Sequence, residues 1–194
     1  MLGTHNSFTF AKTNKFNELF SLYWRCQDKP LGLQYNFGVR FFDIRIKNNK
    51  HDKWIICHGL ATFKEYQFNN INELCEYIEL NFRDLYYRII LESNSNNGKD
   101  KFKKEIIGLE TKYKKLLYYA LKKPWICLYD NMKFKEIKAY NCCLFNWHVD
   151  KSFFYNLRHI NLRQTIKRWA KENNPKISED IINNKNTLYF IDYL

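Results

Sequence analysis

Val39-Arg-Phe-Phe-Asp-Ile-Arg-Ile-Lys47 is a run of aromatic and β-branched residues that alternates towards its end. Residues of this kind fit the pleated, half-buried surface of a strand. Working outward, Gly38 is the stop signal of a short helix that Pro30 opens and that continues through Asn36. A further short helix is predicted near 14–23, and residues 1–3 can form only the tail end of a strand. On the other side, a polar loop (48–53) leads to Trp54–His58 (WIICH), a second strand stopped by Gly59. Tyr87–Glu92, Trp125–Tyr129 and Thr187–Leu194 read as further strands, and Cys142–Trp147 as another. Between them, Asn70 opens an amphipathic helix with Ile71, Leu74, Cys75, Ile78 and Phe82 at helical spacing, and Glu73 is placed for a cap. The Ser/Asn/Gly run 93–98 is a loop, and Lys101–Lys123 is predicted to be one long basic helix ended by Pro124. Residues 152–173 are expected to be helical, and 177–182 to extend that helix or form a small one. Strand and helix in alternation imply a parallel sheet of about six or seven strands with crossover helices.

The chain has 194 residues, of which 45% are hydrophobic, and carries a net charge of +12. That length supports one domain with a real core, and the composition excludes a disordered chain. A basic surface draws anionic partners, nucleic acid or an anionic membrane face, although many of the lysines also suit solvated helix faces. No apolar run is long enough to span a bilayer, and no signal peptide is visible. The six cysteines include no Cys-x-x-Cys pair, which speaks against a structural zinc site, and the default expectation is reduced thiols in an intracellular compartment.

Four stretches carry residues suited to one reaction: His5 in the Gly3-Thr-His-Asn-Ser7 turn, Asp43 with Arg45, His58 before Gly59, and Asp192. Each lies at or near the end of a predicted strand, and in parallel α/β folds such ends share one rim. Two histidines can serve as base and acid on opposite sides of a phosphodiester. An arginine can hold the phosphate oxygens in a bidentate fork, and a carboxylate can fix the tautomer of one histidine. Each feature also has a plainer reading. A histidine beside glycine is often structural, Asp-x-Arg is often a local salt bridge, and an aspartate near a chain end is often solvated. His51 reads as a surface loop residue and His159 as an ordinary helix residue, and nothing ties His148 and Asp150 to the rest.

Taken together, these stretches resemble the X-domain of phosphatidylinositol-specific phospholipase C. The Gly3–Ser7 turn is similar to that family's first histidine motif. Gln34-x-x-x-Gly38-Val-Arg-Phe-Phe-Asp-Ile-Arg45 is similar to its glutamine, glycine and Asp-x-Arg segment, and His58-Gly59 to its second histidine motif. Leu188–Leu194 resembles its last barrel strand. The resemblance implies a single catalytic domain over 1–194 with a distorted, compact TIM-type (β/α) barrel. Only four residues precede His5, so the barrel is expected to be incomplete at its first strand. It further implies that His5 is the general base, His58 the general acid, and Asp192 the residue that orients His5. Arg45 binds the phosphate, with Asn6 and Asp43 also on the substrate side. Arg45 stands where the calcium-dependent relatives carry an acidic ligand. The likeness is therefore to the metal-independent, bacterial-type branch, and no metal or other cofactor, Ca²⁺ included, is expected. Glu92 is a lesser candidate ligand whose plainer reading is a pair with a nearby lysine. Asn6 stands where the bacterial-type enzymes have Asp. The expected partners are a phosphoinositide or related lipid and the surface of a membrane reached from the cytoplasm, with no nucleic acid.

Three other functions fit parts of the sequence. One is a lipid-binding protein of the same fold without turnover, to be distinguished by whether the two imidazoles approach a common phosphate. Another is a basic nucleic-acid-binding protein with Lys101–Lys123 as its surface. The last is a glycerophosphodiesterase-type enzyme, which requires an acidic metal cluster that Arg45 opposes. Phe8, Phe10 and Trp24 suit either a membrane interface or the core.

Overall fold

The computed structural model describes residues 1–19, 21, 24–92, 95–121, 126–130, 136–140, 166–168, 170–172, 174–175, 187–191 and 193. The strands are β1 (Leu2–Thr4), β2 (Phe41–Asn48), β3 (Trp54–His58), β4 (Ala61–Phe68), β5 (Tyr86–Leu91), β6 (Leu116–Leu121), β7 (Ile126–Asp130), β8 (Glu136–Tyr140) and β9 (Thr187–Ile191). The helices are α1 (Lys15–Leu19), α2 (Leu31–Asn36), α3 (Ile71–Asn81), α4 (Asn96–Ile106) and α5 (Leu109–Lys112). The sheet runs in the order β7-β6-β5-β2-β1-β9-β8, with the β3–β4 hairpin attached to β2. Pairing is parallel from β6 through β5, β2, β1 and β9 to β8. The parallel run with helices is as expected, and the antiparallel pairings of β3 with β2 and β4 and of β7 with β6 make the sheet mixed where a purely parallel one was predicted. Among the described residues β7 and β8, at its two ends, do not pair, so the sheet is open there.

The expectation of an incomplete first strand is corrected. Although β1 has three residues, it pairs on both sides, Gly3 with Phe41 of β2 and with Phe190 of β9. The amino group of Met1 donates to the carbonyl of Thr187 at 2.7 Å, so the first and last described strands are neighbours. Three residues suffice because each is flanked by a parallel ladder that satisfies its backbone groups.

Two other expectations fail for local reasons. No continuous helix covers Lys101–Lys123. The helix α4 begins earlier, with Ser95 capping it through a bond from the Gly98 amide. It ends before Gly108, whose φ of +81° no helix accommodates. The segment Leu116–Leu121 then enters the sheet as β6. The candidate basic helix for nucleic acid is thus two short helices and a strand. The second correction is β4, where no strand was predicted. Its register against β3 shifts between Ile55 and Ile56, a bulge that breaks the alternation a reader looks for. The expected strand 142–147 and helix 177–182 lie outside the described residues, as does most of 152–173, of which 166–168 and 170–172 are helical.

Elsewhere the local chemistry is as expected. Asn70 caps α3 by accepting from the Glu73 amide at 2.8 Å, while the Glu73 carboxylate reaches back to the Asn69 amide at 2.7 Å. The core lies between the sheet and α3 and α4, with Phe42, Ile44, Ile46, Ile71, Leu74, Ile78, Ile89 and Phe102 buried in one cluster. Phe8 is also buried there, and the half-buried Phe10 and Trp24 pack against it. No described helix is long and apolar enough to cross a membrane.

Candidate active site

The site forms where β1 gives out. Thr4 is level with Phe42 in the parallel register, so the chain turns at His5 beside the middle of β2, at Asp43. The turn is fastened to both neighbours. The His5 amide donates to the Ile191 carbonyl at 3.0 Å, and the Ser7 amide to the Asp43 carbonyl at 2.9 Å. Ser7 Oγ accepts from the Asp43 amide at 2.9 Å. Asn6 sits at φ +48°, a left-handed conformation that asparagine tolerates better than most residues. Gln34, fully buried on α2, donates to the Ser7 carbonyl and accepts from Thr4 Oγ1, both at 2.7 Å. That bond gives the glutamine of the predicted motif its physical role.

Asp43 and Arg45 lie two apart on β2 and so face the same side. They are mid-strand and not at its end, as was expected. Asp43 is completely buried. Its Oδ2 accepts from the Asn6 amide at 3.1 Å and from Arg45 Nη2 at 3.2 Å, and its Oδ1 accepts from Arg88 Nε at 2.8 Å. Burial alone would raise the Asp43 carboxyl, but Arg88 and Arg45 outweigh it and hold it far below the usual carboxylate range. Arg45 also donates from Nη1 to Glu92 Oε1 at 2.9 Å. Burial would lower the guanidinium, and Asp43 and Glu92 outweigh that and raise it, so it stays charged. The partner of Glu92 is thus Arg45, where a lysine was the plainer expectation. Arg88 had no sequence signal, because its partner lies 45 residues away in the chain.

The same arginine meets the first histidine. Arg45 Nη2 lies 2.8 Å from His5 Nε2, and Asn6 Nδ2 lies 3.1 Å from it. Both are donors, so Nε2 is the accepting nitrogen and Nδ1 carries the proton in the neutral ring. Asn6 is buried, and its Oδ1 has no hydrogen-bond partner among the described residues.

His58 arrives by a route the sequence reading did not foresee. The strand β3 is antiparallel to β2, with Ile46 opposite Ile56, so it runs back along β2 and delivers His58 beside the middle of that strand. Gly59, at φ +58°, turns the chain there, and its amide donates to Glu92 Oε2 at 2.6 Å. The His58 Nδ1–H donates to the Trp24 carbonyl at 2.7 Å, which leaves Nε2 as the second working nitrogen. Burial, reinforced by the Arg45 charge, pushes the His58 ring down to about 4. The His5 and His58 ring centroids are 6.2 Å apart at an interplanar angle of 80°.

The structure therefore brings together His5, Asn6, Asp43, Arg45, His58 and Glu92. Asp192 lies outside the described residues. Among the described residues no group of three His, Cys, Asp or Glu side chains is arranged to hold a metal ion. Three residues were missed: Arg88, and Trp24 and Cys26, whose Sγ is 3.9 Å from His58 Nδ1.

No family model matches the chain, and no curated protein matches it in sequence. Solved structures do match over its whole length. A phosphatidylinositol-specific phospholipase C from Listeria monocytogenes superposes with a TM-score of 0.60 at 16% identity, covering 100% of this chain and 87% of that one. The F249X mutant of the corresponding Staphylococcus aureus enzyme gives 0.58 at 15%, covering 100% and 85%. A further S. aureus structure, from work on modulation of its membrane binding, gives 0.57 at 15%, again covering 100% and 85%. At such identities the likeness is one of fold.

Proposed function

We propose that this chain is a phosphodiesterase that cleaves phosphatidylinositol-type lipids at a membrane surface without a metal ion. The observation that carries the proposal is the pair of imidazoles whose centroids lie 6.2 Å apart, one of them touching an arginine. A phosphate seated there meets a base, an acid and a guanidinium at once. The fold likeness to phosphatidylinositol-specific phospholipases C supports the substrate class.

In this reading His5 Nε2 takes the proton of the inositol 2-hydroxyl as that oxygen bonds to phosphorus. The bond from phosphorus to the diacylglycerol oxygen breaks, and His58 Nε2–H protonates the departing oxygen. Diacylglycerol and a 1,2-cyclic inositol phosphate leave. His58 has to enter this step as the imidazolium, and an anionic phosphodiester beside the ring favours that form. Arg45 moves from His5 Nε2 onto the phosphate, which frees the base. Asp43, its oxygens taken up by Arg45, Arg88 and Asn6, aligns Arg45 and makes no contact with substrate itself. Asn6 Oδ1, buried without a partner among the described residues, is an acceptor for a substrate hydroxyl. To Asp192, next in the chain after β9, the proposal assigns the orienting of His5. The helix α1 is proposed to meet the lipid surface, since Phe16 and Leu19 are 72% and 75% exposed beside exposed Lys12 and Lys15.

A second reading, a lipid-binding protein without turnover, draws support from His5 Nε2 already accepting two hydrogen bonds. One experiment separates them: release of water-soluble inositol cyclic phosphate from phosphatidylinositol vesicles with chelator present. The wild type is expected to cleave, and His5→Ala to lose about 10²–10⁴-fold in rate. No cleavage by the wild type, or cleavage untouched by His5→Ala, overturns the proposal. Vesicle binding without turnover favours the second reading.

A further inference from the structure

Behind both imidazoles runs a short segment, 24–27, that belongs to no helix or strand. It is bonded to the His58 ring, to the His5 turn and to the end of β9. The Trp24 carbonyl accepts from His58 Nδ1–H at 2.7 Å. The Cys26 and Gln27 amides both donate to Thr9 Oγ1, at 3.0 and 2.9 Å. Thr9 in turn belongs to the His5 turn, since both its amide and its hydroxyl donate to the Asn6 carbonyl at 2.9 Å. Gln27 Nε2 donates to the Ile191 carbonyl at 2.8 Å and to the His5 carbonyl at 3.3 Å.

What fastens the segment is Arg25. Its Nε donates to the Thr9 carbonyl at 3.1 Å, and its Nη2 reaches both oxygens of Glu18, at 3.0 and 2.8 Å. Beside it the Trp24 indole N–H donates to the Asn17 carbonyl at 2.8 Å, and its ring packs against Phe63 of β4. A histidine that works as an acid is commonly oriented by a carboxylate. Here a main-chain carbonyl does so. A carbonyl accepts and never donates, so it forces the proton of the neutral His58 ring onto Nδ1 and leaves Nε2 facing the site. A main-chain carbonyl keeps its place only if the residues around it are held.

We infer that segment 24–27 is a strap that sets the tautomer of His58 and its spacing from His5, with Arg25 and Glu18 as positioning residues that never touch substrate. The purpose of the strap rests on the reaction proposed above, but its existence does not. Glu18 and Arg25 are 31% and 22% exposed, so their pair is partly screened and adds little to global stability. Its loss acts on the ring and spares the fold.

The test is NMR of the full chain at neutral pH with labelled histidine, reading from the ring ¹⁵N and ¹³C shifts which nitrogen of His58 carries the proton. The wild type is expected to show Nδ1–H. Glu18→Gln and Arg25→Ala are expected to convert a substantial fraction to Nε2–H. Arg25→Lys is expected to fall between, because an ammonium lacks the two-pronged fork. Arg168→Gln, which breaks the exposed Arg168–Glu172 pair, is the control and leaves the ring unchanged. A wild-type ring protonated at Nε2, or a ring unmoved in both Glu18→Gln and Arg25→Ala, overturns the inference. If Arg25→Ala fails to fold by far-ultraviolet circular dichroism, Glu18→Gln decides. If the wild type cleaves lipid, Glu18→Gln is expected to lower kcat severalfold with little change in KM. If it does not cleave, the proposed reaction fails while the tautomer still decides the strap.

Discussion

The charged floor of the site, Asp43, Arg45, Arg88 and Glu92, stands on or directly after two adjacent parallel strands, β2 and β5, whereas His5 stands on a turn and His58 is the last residue of β3, where Gly59 turns the chain. The floor holds itself together side chain to side chain. Asp43 takes one arginine on each oxygen, and Arg45 takes one carboxylate on each side. The histidines are held by backbone groups. The Ile191 carbonyl fixes the His5 amide and the Trp24 carbonyl fixes the His58 ring, while Arg45 and Asn6 reach the His5 ring with side-chain donors. The difference matters for function. Buried ion pairs fix charge at one place and resist titration. A ring held at Nδ1 by a carbonyl, as His58 is, leaves its other nitrogen to exchange a proton.

Removing a member of the floor should therefore be the most damaging change. Asp43→Asn leaves two guanidinium groups facing each other across a buried site with no charge between them, and the expected loss is about 3–5 kcal/mol in urea unfolding. The sign of the pH dependence follows from the depressed Asp43 carboxyl. Its stabilisation is fully present above the ordinary carboxylate value of about 3.9 and is lost as the pH falls below it towards the native value. Acidifying from pH 7 to 5 should leave this contribution intact. A variant no less stable than the wild type at pH 7 would remove the floor from its place in the comparison.

The imidazole side behaves differently in the same pH range. His58 is held down at about 4, so the unfolded chain takes up the proton first as the pH falls. Stability contributed by its neutral form is complete above about 6.5 and is lost between there and about 4. The size is at most about 3 kcal/mol, less to the extent that the half-buried ring is solvated. In His58→Gln the thermal midpoint should be flatter across that window than in the wild type. Equal slopes would mean that the ring is not the titrating group.

How much of this could be read from the sequence follows the same division. The stretch around Asp43 announces a strand because its aromatic and β-branched residues carry their preference with them. Both histidines and Arg45 were legible as local patterns beside glycine or within Asp-x-Arg. The apolar run at Leu116–Leu121 was not, because a short hydrophobic run reads the same in a buried strand and in a helix, and only the glycine at 108 marks the break. The strand β4 was hidden by its bulge. Arg88, Trp24 and Gln27 act on partners far away in the chain, and a main-chain carbonyl as ligand leaves no trace in residue type. Position 6 shows the limit from the other side. The asparagine was visible, and what it does depended on a backbone turn that sets its amide against His5 Nε2.

Glu92 is where the two constructions join, and it gives the smallest and sharpest test. One carboxylate oxygen pairs with Arg45 in the floor, and the other accepts from the Gly59 amide, next to His58. Glu92→Gln keeps the shape and one accepting oxygen, but its amide nitrogen must then face a donor on one side or the other. The expected cost is about 1.5 kcal/mol. The negative charge of Glu92 also favours the protonated His58 ring. Its removal should move the His58 titration further down, visible by NMR. If floor and rim are separate, the losses in Glu92→Gln and His58→Gln add. If Glu92 couples them, the double variant loses less than the sum by more than about 0.5 kcal/mol. Strict additivity, with an unmoved titration, would leave two independent halves that share a cleft by proximity alone.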